Sequence, residues 1–404
     1  CYKYFSRDKE GGETDMFPID KDSKFSFSKA VYYNFYPIPV KKPWRDATGG
    51  FGNFAPLQGW VDIYDSEGYS GGTFCSMGIV NNILPLILTG ETRTYEEWYN
   101  YIYWKMRNFG FQSGQIVDLG QLDLIMLEIM AKRENKPLHR FLGAEKDWAA
   151  CYKGGGSLLS DDEDLISDMT RYVEEGYKTI KFKVGSDWGR NMERDARRME
   201  KVRAAVGDDI EIAVDANQVW DVENALKFAD MIRPYRPAWY EEPVHSHDMN
   251  AIKEVKERSG MMIGYGESMR NKFAFETYAE KGVDHLMPLV GRMSRMSDLL
   301  DIRDLARKNG LRFSSGGTVW LNAVFGALYD ENEMLENHEP MTAPIGDCLS
   351  VKPEEKNGRL YLPDIPGSPI RLDIEKLERD RTLESVRYFY TDTVKHNFAV
   401  RAAY

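Results

Sequence analysis

The sequence predicts an α/β protein centred on a barrel of alternating strands and helices, with an α+β domain built beside it from the two ends of the chain. Two observations lead there. From about residue 149, strand-like segments (AACYKGG, TIKFKVG, IEIAVDAN, AWYEEP, MMIGYGES, VDHLMPLV, LRFSSGG) alternate with charged, helix-periodic ones such as DEDLISDMTRYVEEG and NMERDARRMEKVRAAVG. Alternation of this kind reads as parallel βα units, and so many in one run favour a barrel over an open sheet. The flanks differ: KFSFSKAVYYNFYPIPV and GWVDIYDSEGYSGGTF look like antiparallel strands with Gly-rich turns.

In chain order, residues 1–148 form the α+β domain: strands from residue 24 to about 100, then helices through DLGQLDLIMLEIMAKRENKPLHRFLG. Residues 149–345 form the barrel. Residues 346–404 return to the first domain through a strand-like GRLYLPDIPGSPI and an aromatic-rich tail from residue 384.

Bulk properties narrow the function. With 404 residues, 42% of them hydrophobic, the chain can bury a large core. A net charge of -11 without clustered Lys and Arg argues against a nucleic-acid partner. Cys1, Cys75, Cys151 and Cys348 lie far apart with no Cys-x-x-Cys, so neither a zinc ribbon nor a disulfide framework is expected. No apolar run approaches the roughly 18 residues of a membrane helix, and the polar start has no secretory apolar region. A cytoplasmic location and no membrane partner are the expectations.

Barrel chemistry sits at the C-terminal ends of strands. Three predicted strands end in a carboxylate: Asp215 in IAVDAN, Glu241 in WYEEP and Glu267 in GYGES, each about one βα unit from the next. Acids on adjacent strand ends resist joint ionisation unless a cation is present. Oxygen donors without His or Cys point to Mg²⁺, with Mn²⁺ as second choice. The strand before Asp215 reads IKFKVG, with Ile180, Phe182 and Val184 on one face and Lys181 and Lys183 on the other. In a barrel the lysine face points inward. Beside a dication the lysines should have lowered pKa values, which makes Lys183 a candidate base.

Together Lys181-x-Lys183, Asp215-Ala-Asn217, Glu241-Glu-Pro243 and Gly266-Glu267-Ser268 resemble the enolase superfamily in its mandelate racemase/muconate lactonizing enzyme-like branch. The resemblance implies a (β/α)7β barrel of TIM type with an α+β capping domain, and Mg²⁺ held by Asp215, Glu241 and Glu267. It further implies abstraction of the α-proton from a carboxylate substrate, and related enzymes are commonly homo-oligomers. The use of a Lys or His base with magnesium is a general property of that superfamily.

One departure shapes the functional expectation. Where the branch has an Asp ending the sixth strand and a His ending the seventh, this sequence has Leu289 and Ser315, with no His nearby in the seventh strand. A single basic face disfavours a two-base racemase and is compatible with β-elimination, as in dehydration of a sugar acid to a 2-keto-3-deoxy acid. A racemase or epimerase, a metal-binding barrel without catalysis and, more remotely, a paired-carboxylate glycosidase remain the competing readings. Lys183 is the expected proton acceptor, with Lys181 tuning it or contacting the substrate carboxylate. Tyr152, His245 and Ser315 are candidates for the acid, and Asn217 for substrate binding. The loop at residues 36–54, with Lys42, Arg45, aromatics and Gly hinges, is a candidate lid, and residues 69–78 a second.

Overall fold

A computed structural model of the protein describes residues 17–55 and 59–391. The aromatic-rich tail beyond residue 391 and Cys1 lie outside the described residues. In the capping region the long strand Lys24–Phe35 is flanked on one side by Gly59–Asp65 and on the other by Leu383–Tyr390, both antiparallel, and Ser70–Cys75 pairs beyond Gly59–Asp65. The helix Gly114–Arg133 packs on this sheet. The approach is close at Gly71, where an added Cβ would fall 2.6 Å from the carbonyl oxygen of Ile125.

Residues 69–78, expected as a second lid, are mostly this sheet strand Ser70–Cys75. Gly71 serves close packing of helix on sheet, and the segment is paired along its length to Gly59–Asp65.

Eight parallel strands make up the central sheet: Trp148–Gly155, Thr179–Lys183, Glu211–Asp215, Tyr240–Glu241, Ile263–Tyr265, His285–Leu286, Arg312–Phe313 and Leu335–His338. The first seven pair in sequence order. The eighth pairs in parallel with the first over Leu335–His338 and touches the end of the seventh through a Ser315–Leu335 bridge. The sequence pattern displayed seven of these strands. The eighth, and the helix Val319–Gly326 before it, complete the set.

Local sequence explains several helix starts. Asp161, Asn191, Asp221 and Asp248 each cap a helix by accepting a bond from a backbone N–H in its first turn, satisfying donors that the helix leaves unpaired. The hairpin Glu354–Lys356 and Arg359–Tyr361 lies antiparallel against the outer side of the first strand of the central sheet.

The capping region is tied to the barrel through the loop after the sixth strand. Tyr99 Oη donates to the Ser294 carbonyl at 3.1 Å, Met296 N–H donates to Asp123 at 2.7 Å, and Arg295 pairs with Glu96 at 2.6 Å. Gly120 allows the helix to touch this loop, since a Cβ there would sit 1.9 Å from the Met293 carbonyl oxygen.

Candidate active site

The second barrel strand divides as its alternation requires. Ile180, Phe182 and Val184 are fully buried against the surrounding helices, while Lys181 and Lys183 point into the barrel. Register then brings the partners together: Lys183 lies opposite Asp215, and Asp215 opposite Glu241. Lys183 Nζ donates to Asp215 Oδ2 at 2.5 Å. Lys181 Nζ reaches both Glu241 oxygens at 2.8 Å, Glu336 Oε1 at 2.9 Å and Asp215 Oδ2 at 3.7 Å. Trp239, two residues before Glu241 and on the same face, donates Nε1–H to Glu241 at 3.0 Å.

These contacts set the electrostatics. Burial alone would push both ammonium groups down, but Asp215 at Lys183, and Glu241 with Glu336 at Lys181, outweigh it and hold both above the usual lysine range. The sequence expectation of lowered lysine pKa values is conditional on a dication beside them, and the raised direction here is the effect of the carboxylates by themselves. Glu241 is pushed up to about 8 by burial, with Asp215 and Glu336 adding to it against Lys181. Asp215 is held below the usual range, because Lys183 and Lys181 outweigh its burial.

Glu242 was not singled out by the sequence analysis, yet it belongs to the cluster. Its backbone turns into the left-handed region at φ 42°, and its side chain is buried. Gln218 Nε2 donates to its Oε2 at 2.9 Å, while Oε1 has no partner. Burial, then Glu267 and Asp215, raise its carboxyl well above the usual range. Glu267 is the most open of the acids, 30% exposed, with Arg292 at 3.8 Å.

Among the described residues no three His, Cys, Asp or Glu side chains are arranged to hold a metal ion. Lysine nitrogens occupy Asp215 and Glu241 instead. The donor chemistry nevertheless suits a hard cation. The carboxylates Asp215, Glu241, Glu242, Glu267 and Glu336 outnumber the two ammonium groups, and Glu242 keeps a buried oxygen without a donor. Surplus negative charge on oxygen ligands in a buried site is what Mg²⁺ neutralises.

The remaining predicted residues separate into those near this cluster and those away from it. The Asn217 backbone N–H donates to Asp215 Oδ1 at 2.9 Å, and its side-chain oxygen is buried without a partner. Tyr152 lies in the barrel interior with its ring edge-on to Trp239 and Lys181 Nζ 5.7 Å from its centroid. Burial raises its phenol well above the ordinary value. Ser315 is buried but turns away, donating to Asn322 Oδ1 on the next helix at 2.8 Å. His245 is exposed in a loop beside His247. Lys42 is largely exposed and paired with Asp164 at 2.9 Å.

Arg45 belongs to a short hairpin, Trp44–Arg45 against Gly50–Phe51, within the predicted lid. That hairpin docks on the barrel mouth: the Arg45 N–H donates to Ser157 Oγ at 3.0 Å, and Thr48 Oγ1 donates to the Asn217 carbonyl at 3.1 Å. The sequence analysis missed Glu336 and His338, which project inward from the eighth strand. Their signal was the i, i+2 spacing of two polar residues in LENH.

The comparisons with known proteins agree with this architecture. A family model described as "Enolase C-terminal domain-like" matches residues 164–377. The chain belongs to the enolase C-terminal domain-like family. Among curated relatives, arabinonate dehydratase of Saccharolobus solfataricus is 27% identical over 76% of the chain and 84% of its own length. L-talarate/galactarate dehydratase of Salmonella typhimurium is 26% identical over 82% of the chain and 85% of its own length. The solved structure of L-talarate dehydratase from Polaromonas sp. JS666, complexed with Mg and L-glucarate, superimposes with a TM-score of 0.76 at 21% identity, covering 91% of this chain and 100% of that one. At that identity the likeness is one of fold, an enolase-type barrel with its cap. Among the described residues no helix is long and apolar enough to cross a membrane.

Proposed function

We propose that the protein is a Mg²⁺-dependent acid-sugar dehydratase, with Mn²⁺ as an alternative ion, that converts a polyhydroxy carboxylate to a 2-keto-3-deoxy acid. The observation that carries the reading is the pairing of Lys183 with Asp215 and of Lys181 with Glu241 across three adjacent strand ends. Asp215, Glu241 and Glu267 would hold the ion, with Glu242 beside them. Bound there, a hard dication supplies Lewis-acid polarisation of the substrate carboxylate.

The chain's own groups do the rest. In this reading Lys183 Nζ takes the α-proton once Asp215's charge is shared, since Asp215 is the largest influence that raises its pKa. Lys181, held centrally by Glu241 and Glu336, presents an ammonium to the substrate carboxylate. As the C–H electrons form the α,β double bond, the β C–O bond breaks and the hydroxyl leaves as water, taking up a proton from the Lys183 ammonium formed when it accepted the α-proton. The enol product tautomerises to the 2-keto-3-deoxy acid. Ser315 and His245 are poor proton donors to this hydroxyl, one tied to Asn322 and the other in an exposed loop.

The same reading takes residues 1–148 and 346–404 as the cap, 149–345 as the catalytic barrel, a homo-oligomer as the assembly and the cytoplasm as its location. The test is proton NMR in D2O on galactarate, arabinonate and related acids, with MgCl2 and with a chelator. The expected outcome is a 3-deoxy-2-keto product formed only with the ion. Exchange of an α-proton without loss of water would replace the dehydratase with an epimerase, and no reaction with any acid would remove the reading.

A further inference from the structure

Three side chains at the barrel mouth, Trp44, Glu336 and His338, and the glycine beside them, Gly154, have no role in the mechanism above, or only part of one. His338 and Glu336 share the inward face of the eighth strand, opposite Gly154 and Tyr152 of the first. A Cβ at Gly154 would fall 2.5 Å from Glu336 Oε1 and 3.3 Å from His338 Cδ2, so the glycine leaves the room these two occupy. The His338 ring meets Trp44 of the docked hairpin edge-on, with centroids 4.9 Å apart at 87°. Trp44 in turn lies with its ring centroid 5.6 Å from Lys183 Nζ.

Hydrogen bonding leaves this corner incomplete. Both His338 ring nitrogens are shielded from solvent and have no partner, and Trp44 Nε1, on a side chain only 7% exposed, also has none. Buried polar groups nearly always find partners, and leaving one unpaired costs about 1–3 kcal/mol. Comparable rings in the same barrel are at least partly paired: Trp239 Nε1 bonds Glu241, and His285 places Nε2 on Ser314 Oγ at 2.9 Å, whereas neither His338 nitrogen finds a partner. Several unpaired atoms converging beside Lys183 therefore mark a place where a ligand supplies the missing partners.

The partner chemistry follows from the atoms. Burial, with Lys183 and Lys181 nearby, pushes the His338 imidazole down to about 3 against the pull of Glu336 and Asp215. A neutral imidazole offers one donor and one acceptor. Trp44 adds a donor that cannot accept. A hydroxyl group, which both donates and accepts, satisfies this pair, whereas a second carboxylate would face an imidazole acceptor.

Resting on the dehydratase reading, we propose that His338 and Trp44 form a subsite that binds a hydroxyl of the substrate's carbon chain and so determines which polyhydroxy acid is accepted. The hairpin of the cap supplies one half and the eighth strand the other, so the subsite is complete only while the hairpin is docked. His338 here selects and positions the substrate.

Binding calorimetry with galactarate and arabinonate in MgCl2 tests this, with glycolate, which lacks the longer hydroxylated chain, as control. His338→Phe and Trp44→Phe are each expected to weaken binding of the preferred polyhydroxy acid by about tenfold or more, the cost of one unpaired buried group, and to leave glycolate binding unchanged. His338→Gln, whose amide keeps a donor and an acceptor, should recover part of the loss. In turnover the loss should fall on KM more than on kcat. A wild-type imidazole NMR signal should also shift on adding the bound acid and be missing in His338→Gln, which keeps the test valid if the Phe variant does not fold. If the wild type binds a polyhydroxy acid but both Phe variants bind it equally well, or no imidazole signal moves, the subsite is wrong and the dehydratase reading stands. If the wild type binds Mg²⁺ but no polyhydroxy acid, both fall together.

Discussion

At the scale of single residues, the two inward lysines are the decisive pair, and they differ in what they touch. Lys183 has one short contact, to Asp215, whereas Lys181 is surrounded by Glu241, Glu336 and Asp215. Lys183→Ala is expected to lower turnover by about 10²–10⁴-fold, the usual contribution of a positioned base, while preserving substrate binding, which kcat and KM on the same acid will separate. Ser315→Ala should behave in the opposite way. Its hydroxyl serves Asn322, so the loss is about 1 kcal/mol of stability, with turnover within about threefold. Gly154→Ala places a methyl against Glu336 and His338 and should cost about 1–3 kcal/mol in a urea titration. The lysines and the three strand-end acids were legible because alternation and strand spacing locate them without tertiary information. Glu242 was not, since only the positive φ at that residue turns it toward Glu267 and Asp215 rather than away.

At the scale of elements, legibility followed apolar content. The second barrel strand, Thr179–Lys183, carries apolar Ile180 and Phe182 at alternate positions, the third, Glu211–Asp215, is apolar from Ile212 to Val214, and both are buried almost throughout. The eighth strand, Leu335–His338, has a single apolar residue. Its inward face carries Glu336 and His338 into the site, while Asn337 faces outward and bonds Tyr177 at 3.1 Å and Glu355 at 2.8 Å. A strand polar on both faces shows no apolar alternation, so the element that completes the site was hidden apart from the i, i+2 spacing of Glu336 and His338. Helix caps give the opposite case, where one residue announces the element. Asp161→Ala removes the acceptor for Asp164 N–H at 2.8 Å. It should lower stability by about 1 kcal/mol without changing turnover, as a urea midpoint and an activity assay together would show.

At the scale of the whole molecule, buried imidazoles couple stability to pH. His338 is pushed down to about 3, chiefly by burial, and His285 well below its usual value by burial with Arg312 and Lys181 adding. The unfolded chain therefore binds protons below about pH 6.5 that the folded chain refuses. Stability is unaffected by these groups above that pH. It falls as pH drops toward 3, by up to about 1.4 kcal/mol per pH unit for each histidine. Urea midpoints at pH 7.5 and pH 5, compared with those of His338→Phe, should show a smaller fall in the variant. An ion bound by the acids should act in the stabilising direction, by about 2.7 kcal/mol at a hundredfold excess over its dissociation constant. A rise in melting temperature with MgCl2, abolished by a chelator and by Asp215→Asn, would show it.

The capping sheet has a consequence for the order in which the chain is made. Strand Lys24–Phe35 is translated early, yet Leu383–Tyr390, which pairs with its residues 29–35, emerges only after the entire barrel. Until then the edge of residues 29–35 that Leu383–Tyr390 will cover offers unpaired backbone groups to any passing chain. The growing chain thus carries an open edge while the barrel is made, and the capping sheet is closed by a segment that leaves the ribosome after the barrel strands.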